Sequence, residues 1–137
     1  MSNAIPANGI ELVVFDIGGV MIRLAPPPPM LKAQWRDALL EIVSVHEVGR
    51  MPDDEFVAAV AEVTGFPEDE VLAMAHAWIV EPYPGIEQLV DELSDTPVQT
   101  ACLSNTNNLH WPRMHNPGHV TSLPLPRLDH RFASHLV

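Results

Sequence analysis

The octapeptide Val13-Val14-Phe15-Asp16-Ile17-Gly18-Gly19-Val20 sets one carboxylate at the end of an apolar run and follows it with two glycines. A buried strand that delivers an acid to its C-terminal tip, beside glycines that let the backbone turn sharply, is how an open α/β sheet builds an active site. Asp16 is therefore a candidate nucleophile or metal ligand; the competing reading is an Asp that only caps the following turn. A second polar tip, Ser104-Asn105-Thr106-Asn107, closes the apolar run Val98 to Leu103. Its hydroxyl and nearby N–H groups are the parts needed to hold phosphate oxygens while a carboxylate attacks or binds a metal. Taken alone, the same tetrapeptide is also a good helix cap.

Bringing these two tips together takes two buried parallel strands joined by a helical crossover. Ile10 to Phe15 reads as the first strand, fully buried, and residues 17–24 as a glycine turn with a short apolar stretch. Ile86, Leu89, Val90 and Leu93 mark an amphipathic helix ending near Asp95, and Val98 to Leu103 a second buried strand. The expected fold class is α/β, a parallel sheet with Ser104 and Asn105 beside Asp16 at its C-terminal edge. Between the strands the pattern changes. Pro26-Pro27-Pro28-Pro29 forms a stiff linker, since each ring fixes φ and none donates a backbone bond. Beyond it, Leu31, Trp35, Ala38, Leu39, Ile42 and Val45 share one helical face. Pro52-Asp53-Asp54-Glu55 and Pro67-Glu68-Asp69-Glu70 each open a further helix, with acids in the first turn; the earlier of these two stops at Gly65. After Trp111 the text is loop-like, and Arg131-Phe132-Ala133-Ser134 is predicted as a third strand.

Composition narrows the function. The 137 residues are 47% apolar and 18% charged, in the globular range, with formal net charge -11. Such a balance argues against nucleic acid and against an anionic membrane surface. An anionic small substrate requires a metal ion or backbone amides to supply positive charge. No run approaches the length of a membrane span, and the first residues lack the pattern of a signal peptide. The one cysteine, Cys102, lies in an apolar run and reads as inert packing; a chain without disulfides suits the reducing cytoplasm. His110, His115, His119, His130 and His135 crowd the last 28 residues and read as loop histidines rather than a metal site. Trp35, Trp78 and Trp111 read as packing residues.

Phe15-Asp16-Ile17-Gly18-Gly19-Val20 resembles the first motif of the haloacid dehalogenase (HAD)-like hydrolase superfamily. Leu103-Ser104-Asn105-Thr106-Asn107 resembles its second motif, in the form of a branch that includes α-D-glucose-1-phosphate phosphatase. His46-Glu47-Val48-Gly49, Phe56, His76-Ala77-Trp78 and Tyr83-Pro84-Gly85 look like landmarks of the cap in that branch, and His110-Trp111 and Leu128-Asp129-His130 also fit. The resemblance implies a Rossmannoid parallel sheet, here incomplete, formed by 5–24 and 81–137, with an all-helical cap insert over 25–80. It implies Asp16 as the nucleophile that forms an aspartyl phosphate. It also implies Mg²⁺ held by Asp16 and the Gly18 carbonyl, phosphate held by Ser104 and Asn105, and a small phosphorylated metabolite as substrate.

Two departures follow from the same comparison. Gly18 stands where many such phosphatases carry a second Asp for acid–base work, as it does in the glucose-1-phosphate branch. This also leaves room for a 2-haloacid dehalogenase, whose Asp needs no such partner. The third-motif Lys or Arg and the fourth-motif acid are missing: Lys32 is the only lysine and lies in the cap region, and no Asp or Glu follows Asp129. Arg127 and Arg131 are the remaining sources of positive charge. Ser134-His135-Leu136-Val137 looks like the segment upstream of the third motif, so the chain reads as truncated, with low or no activity. A non-catalytic binding domain is the other alternative. The strand that flanks the first strand in this fold is absent too, which predicts an open edge on Ile10 to Phe15 and either self-association through it or a rearranged C-terminus that covers it.

Overall fold

The computed structural model describes residues 9–27 and 32–137. Along the chain it contains β1 (Leu12–Phe15), β2 (Ile22–Leu24), α1 (Arg36–Glu47), α2 (Asp53–Thr64), α3 (Glu68–Ala77), β3 (Ile79–Pro82), α4 (Ile86–Ser94), β4 (Gln99–Ser104), α5 (Trp111–His115) and β5 (His130–Ala133). Residues 5–8, Pro28, Pro29 and Leu31, which figure in the sequence reading, lie outside the described residues.

Valine-rich β1 pairs in parallel with β4, with Phe15 opposite Cys102, and β4 pairs in parallel with β5, with Ser104 opposite Ala133. The order is β1-β4-β5, so the predicted third strand forms, and β1 has one open edge among the described residues. Asp129 fixes the register of β5: its carboxylate accepts from the Thr100 N–H at 2.8 Å, while its own N–H donates to the Thr100 hydroxyl at 3.2 Å.

The strands are not buried on both faces, contrary to the sequence reading. Cys102 is fully buried, but its neighbour Leu103 is 60% exposed; on the same face as Leu103, Val14 is 50% and Phe132 48% exposed. Side chains alternate across a strand. Ile86 and Val90 of α4, with Met114, Leu123, Leu125 and Leu128, pack into one cluster with Cys102. No described element covers the opposite face. The apolar runs therefore resemble those of a doubly covered parallel sheet while only half of each is packed.

The text after Trp111 is also more ordered than predicted. Before β5 its regular structure is α5 and a short 3-10 turn, Leu125–Arg127, yet its apolar side chains complete the core below the sheet.

Helices α1, α2 and α3 form their own cluster around Leu39, Phe56, Val57, Val60 and Val71. A 3-10 turn, Ala33–Trp35, precedes α1, and Val43 packs on the cluster while Ala38, predicted on the inner face, is exposed. Left-handed Gly65 ends α2 as expected. Strands β2 and β3 pair antiparallel and link the helices to the sheet, a ribbon that the short apolar stretches at 17–24 and 79–82 did not announce. The helical segment accordingly ends at Ala77 rather than 80. Trp78 and Ala25 are joined by a backbone bond of 2.8 Å across the base of the ribbon.

Candidate active-site cleft

The sheet register decides what meets at the strand tips. Asp16 follows the Phe15–Cys102 pair directly and Ser104 lies two residues beyond it, so the two polar tips emerge side by side. Asp16 is exposed. Its Oδ1 accepts the Ile17 N–H at 2.8 Å, and Oδ2 has no hydrogen bond among the described residues. The chain then folds back in a tight turn, with the Met21 and Ile22 amides donating to the Ile17 carbonyl at 2.8 and 3.1 Å. Gly19 makes the turn possible at φ +77°, where a side chain would be strained. Gly18 is different: a Cβ there would meet only the Leu24 side chain, at 3.4 Å. The turn's backbone bonds leave the Gly18 carbonyl unused.

Ser104 is buried, with its hydroxyl donating to the Asn105 carbonyl at 3.4 Å, and Asn105 is exposed. Thr106 is tied to the loop after β5, since its N–H donates to Ser134 Oγ and its carbonyl accepts from that hydroxyl, both at 3.0 Å. Asn107 Oδ1 accepts the N–H groups of Leu109 and His110 at 2.9 and 3.1 Å, starting the turn into α5. The helix-capping reading of this tetrapeptide is thus met by Asn107 and leaves Ser104 and Asn105 free for other work.

A cavity of about 580 Å³ opens between these tips and the helices. Gly18, Ser104 and Asn105 lie along its floor, while Leu40 and Val43 of α1, Met74 and Ala75 of α3, and Trp78 line its roof. Asp16 is not among the lining residues; its neighbours Ile17 and Gly18 are. Arg36 and Glu47 are the charged lining groups outside the histidines. Burial pushes the Glu47 carboxyl above its ordinary value, against the smaller pull of His46.

The roof is tied to the floor by polar contacts that sequence reasoning missed. His110 Nε2–H donates to the Ala75 carbonyl at 2.6 Å; burial, the dominant influence, lowers its pKa although that carbonyl favours the charged ring. His46, buried and stacked on Phe56 at 4.1 Å, meets Asp53 Oδ1 at 2.8 Å, and Asn108 Nδ2 donates to Asp53 Oδ2 at 3.1 Å. Gly49, at φ +75°, packs so closely on the His135 carbonyl that a Cβ would sit 2.5 Å from its oxygen. Leu109 enters the helical cluster. Asp53 reads in sequence only as a helix-opening acid, and nothing in the spacing of Asn108 or His135 signals a partner 55 or more residues away.

The other histidines do not converge: His115 bonds to the Trp111 carbonyl, His119 to Thr121, and His130 to Gln99. Among the described residues no three His, Cys, Asp or Glu side chains are grouped to hold a metal. Arg127 and Arg131 do not reach the site. Arg127 pairs with Asp91 and Glu87, and Arg131 donates to the carbonyls of Leu125 and Leu128 at 3.1 and 2.7 Å. Cys102 is a buried thiol whose pKa burial raises, as inert packing requires.

No protein-family model and no curated protein matches the sequence. Solved structures do. The chain is similar, at 21% identity and TM-score 0.74, to a HAD-family enzyme of Bacteroides thetaiotaomicron in complex with magnesium and inorganic phosphate. That match covers 93% of this chain and 70% of the enzyme. A predicted HAD-like hydrolase of Porphyromonas gingivalis matches at 23% identity and TM-score 0.72, over 93% of this chain and 67% of that one. The L-2-haloacid dehalogenase of Xanthobacter autotrophicus matches at 23% identity and TM-score 0.52, over 90% and 56%. The chain has the HAD-like fold, an α/β Rossmannoid sheet carrying a helical insert.

Proposed function

We propose that the chain is a HAD-like hydrolase, a Mg²⁺-dependent phosphatase of a small phosphorylated metabolite that works through an aspartyl phosphate on Asp16. The parallel β1–β4 pairing supports this reading, because it brings the Asp16 strand end beside that of Ser104 and Asn105, which line a roofed cleft with Gly18. Ser104, Asn105 and nearby amides hold the phosphate oxygens. The free Oδ2 of Asp16 attacks phosphorus, and the bond from phosphorus to the substrate oxygen breaks as that oxygen takes a proton. Glu47 is the carboxyl that lines the cleft, and burial keeps it protonated further toward neutral pH, so it is assigned as the donor in place of Gly18. Water then attacks the aspartyl phosphate, releasing inorganic phosphate and restoring the carboxylate.

Asp16 and the unused Gly18 carbonyl are hard oxygen donors, and they fit an ion held otherwise by water and phosphate, as Mg²⁺ usually is. When bound, that ion neutralises phosphate charge. Arg127 and Arg131 are engaged elsewhere, which leaves Arg36 as the arginine that lines the cleft among the described residues. Helices α1 to α3 act as the cap.

Phosphate release from a panel of monoesters with Mg²⁺, compared between wild type and Asp16→Asn, tests the reading. Release that is unaffected by the substitution contradicts it. Halide release from 2-haloacids by the same wild-type protein would instead establish the dehalogenase reading, which the Xanthobacter likeness and Gly18 favour. Phosphate binding without release in either protein would establish a non-catalytic binding domain.

Two further parts of the reading concern the protein as a whole. The open edge of β1, continuous with the bare apolar face, offers pairing to a second copy of the chain; light scattering is expected to give the mass of a dimer, and a monomer at all concentrations contradicts this. Among the described residues no helix is long and apolar enough to cross a membrane. The one buried thiol suits a reducing cytoplasm.

A further inference from the structure

We propose that the cleft selects phosphate monoesters whose organic part is apolar, an alkyl or aryl group, over sugar phosphates. The inference rests on the phosphatase reading for the phosphate end alone; the organic end is argued from the roof. Leu40 and Val43 of α1 and Met74 and Ala75 of α3 line it with side chains that offer no polar atom. Leu40 is 58% exposed, a large apolar surface left to water at the opening of the cavity. A ligand that covers it removes that exposure.

Of the polar side chains under the roof helices most are engaged, with His46 Nδ1 left as a buried atom without a partner among the described residues. His46 Nε2 is engaged by Asp53, His110 Nε2 by the Ala75 carbonyl, and Asn107 Oδ1 by two amides. A hexose lying against this roof would bury several hydroxyls beside apolar carbons. Each hydroxyl left without a partner weakens binding by about tenfold. An alkyl chain there gains about fourfold per buried methylene. Arg36 and Glu47, the charged wall groups, stand about three turns apart on α1 with Leu40 and Val43 between them.

Titration calorimetry with butyl phosphate, hexyl phosphate, glucose 1-phosphate, orthophosphate and hexanol, all with Mg²⁺, tests this. Hexyl phosphate is expected to bind about tenfold or more tighter than butyl phosphate, and both tighter than glucose 1-phosphate. Leu40→Asn, at an exposed position where folding is unaffected, is expected to flatten the gain from butyl to hexyl. Glucose 1-phosphate binding as tightly as hexyl phosphate, no dependence on chain length, or no binding by any ligand would overturn the proposal. Hexanol binding as tightly as hexyl phosphate, with Leu40→Asn weakening both, would support the apolar assignment and defeat the phosphatase reading instead, which keeps the two failures apart.

Discussion

The strand tips below the cleft and the helices above it hold their side chains in different ways. Below, Asp16, Ser104 and Asn105 extend from a hydrogen-bonded parallel ladder whose underside is filled by Met114, Leu125 and their neighbours. Above, the helices pack mainly on one another and meet the lower body through separate ties: the β2–β3 ribbon, His110 on Ala75, Asn108 on Asp53, Gly49 on His135, and Leu109 in the helical cluster. A ladder fixes position, as a reacting carboxylate needs. A few local ties permit rigid-body opening, as a substrate cover needs. On the proposed function, the floor would carry the reaction and the roof the choice of substrate.

Substitutions under the floor are expected to have the largest effect on folding. Leu125 is fully buried, and Leu125→Ala is expected to cost about 2–5 kcal/mol in denaturant unfolding. Leu103→Ala, on the bare face of the same sheet, is expected to stay within about 0.5 kcal/mol. Equal costs at the two positions would show that both faces are packed.

Breaking a tie between floor and roof ranks next. His110→Ala removes the shorter of the two bonds that the Ala75 carbonyl accepts, the other being the Trp78 N–H at 3.4 Å, and is expected to cost about 1–3 kcal/mol. Burial lowers the His110 pKa, so the unfolded chain binds the proton more readily. Its share of stability is complete above the ordinary value of 6.5 and falls as pH drops through the lowered one. The gap between wild type and His110→Ala therefore narrows in acid, which unfolding curves at a series of pH values measure. Gly49→Ala, forced into the left-handed region, is expected to cost about 1–2 kcal/mol from its backbone alone. It should also push the α1–α2 loop away from His135, detectable as faster hydrogen exchange in that loop.

The smallest effect on stability is expected within the roof. Burial raises the Glu47 pKa, so the folded state holds its proton longer and wild type loses stability as pH rises above the ordinary value of 4.5. Glu47→Gln is expected to be the more stable protein at neutral pH and to lose that advantage below 4.5. It should also lower kcat by removing the assigned proton donor. Unchanged kcat with altered stability would separate the two roles.

Much of the floor was legible in the sequence because local signals carry it. The acid and glycines after Phe15 and the polar run after Leu103 are strand ends in plain text, and β5 was visible from Arg131 onward. One-sided burial was not legible: Val14 and Leu103 look like core residues because apolar character does not reveal which face another element covers. The order of the segment after Trp111 was hidden by prolines, although Met114, Leu123 and Leu125 fill the core. The ties between floor and roof were hidden by distance along the chain, since Asp53 and Asn108 are 55 residues apart.

Asp16 as the attacking group is tested most directly by mass spectrometry of the peptide around it, taken from protein quenched in acid during turnover of hexyl phosphate with Mg²⁺. Wild type is expected to carry a phosphoryl group on Asp16, absent from Asp16→Asn together with at least about a thousandfold of the phosphate release. Phosphate release with no adduct on Asp16, undiminished in Asp16→Asn, would contradict the assignment.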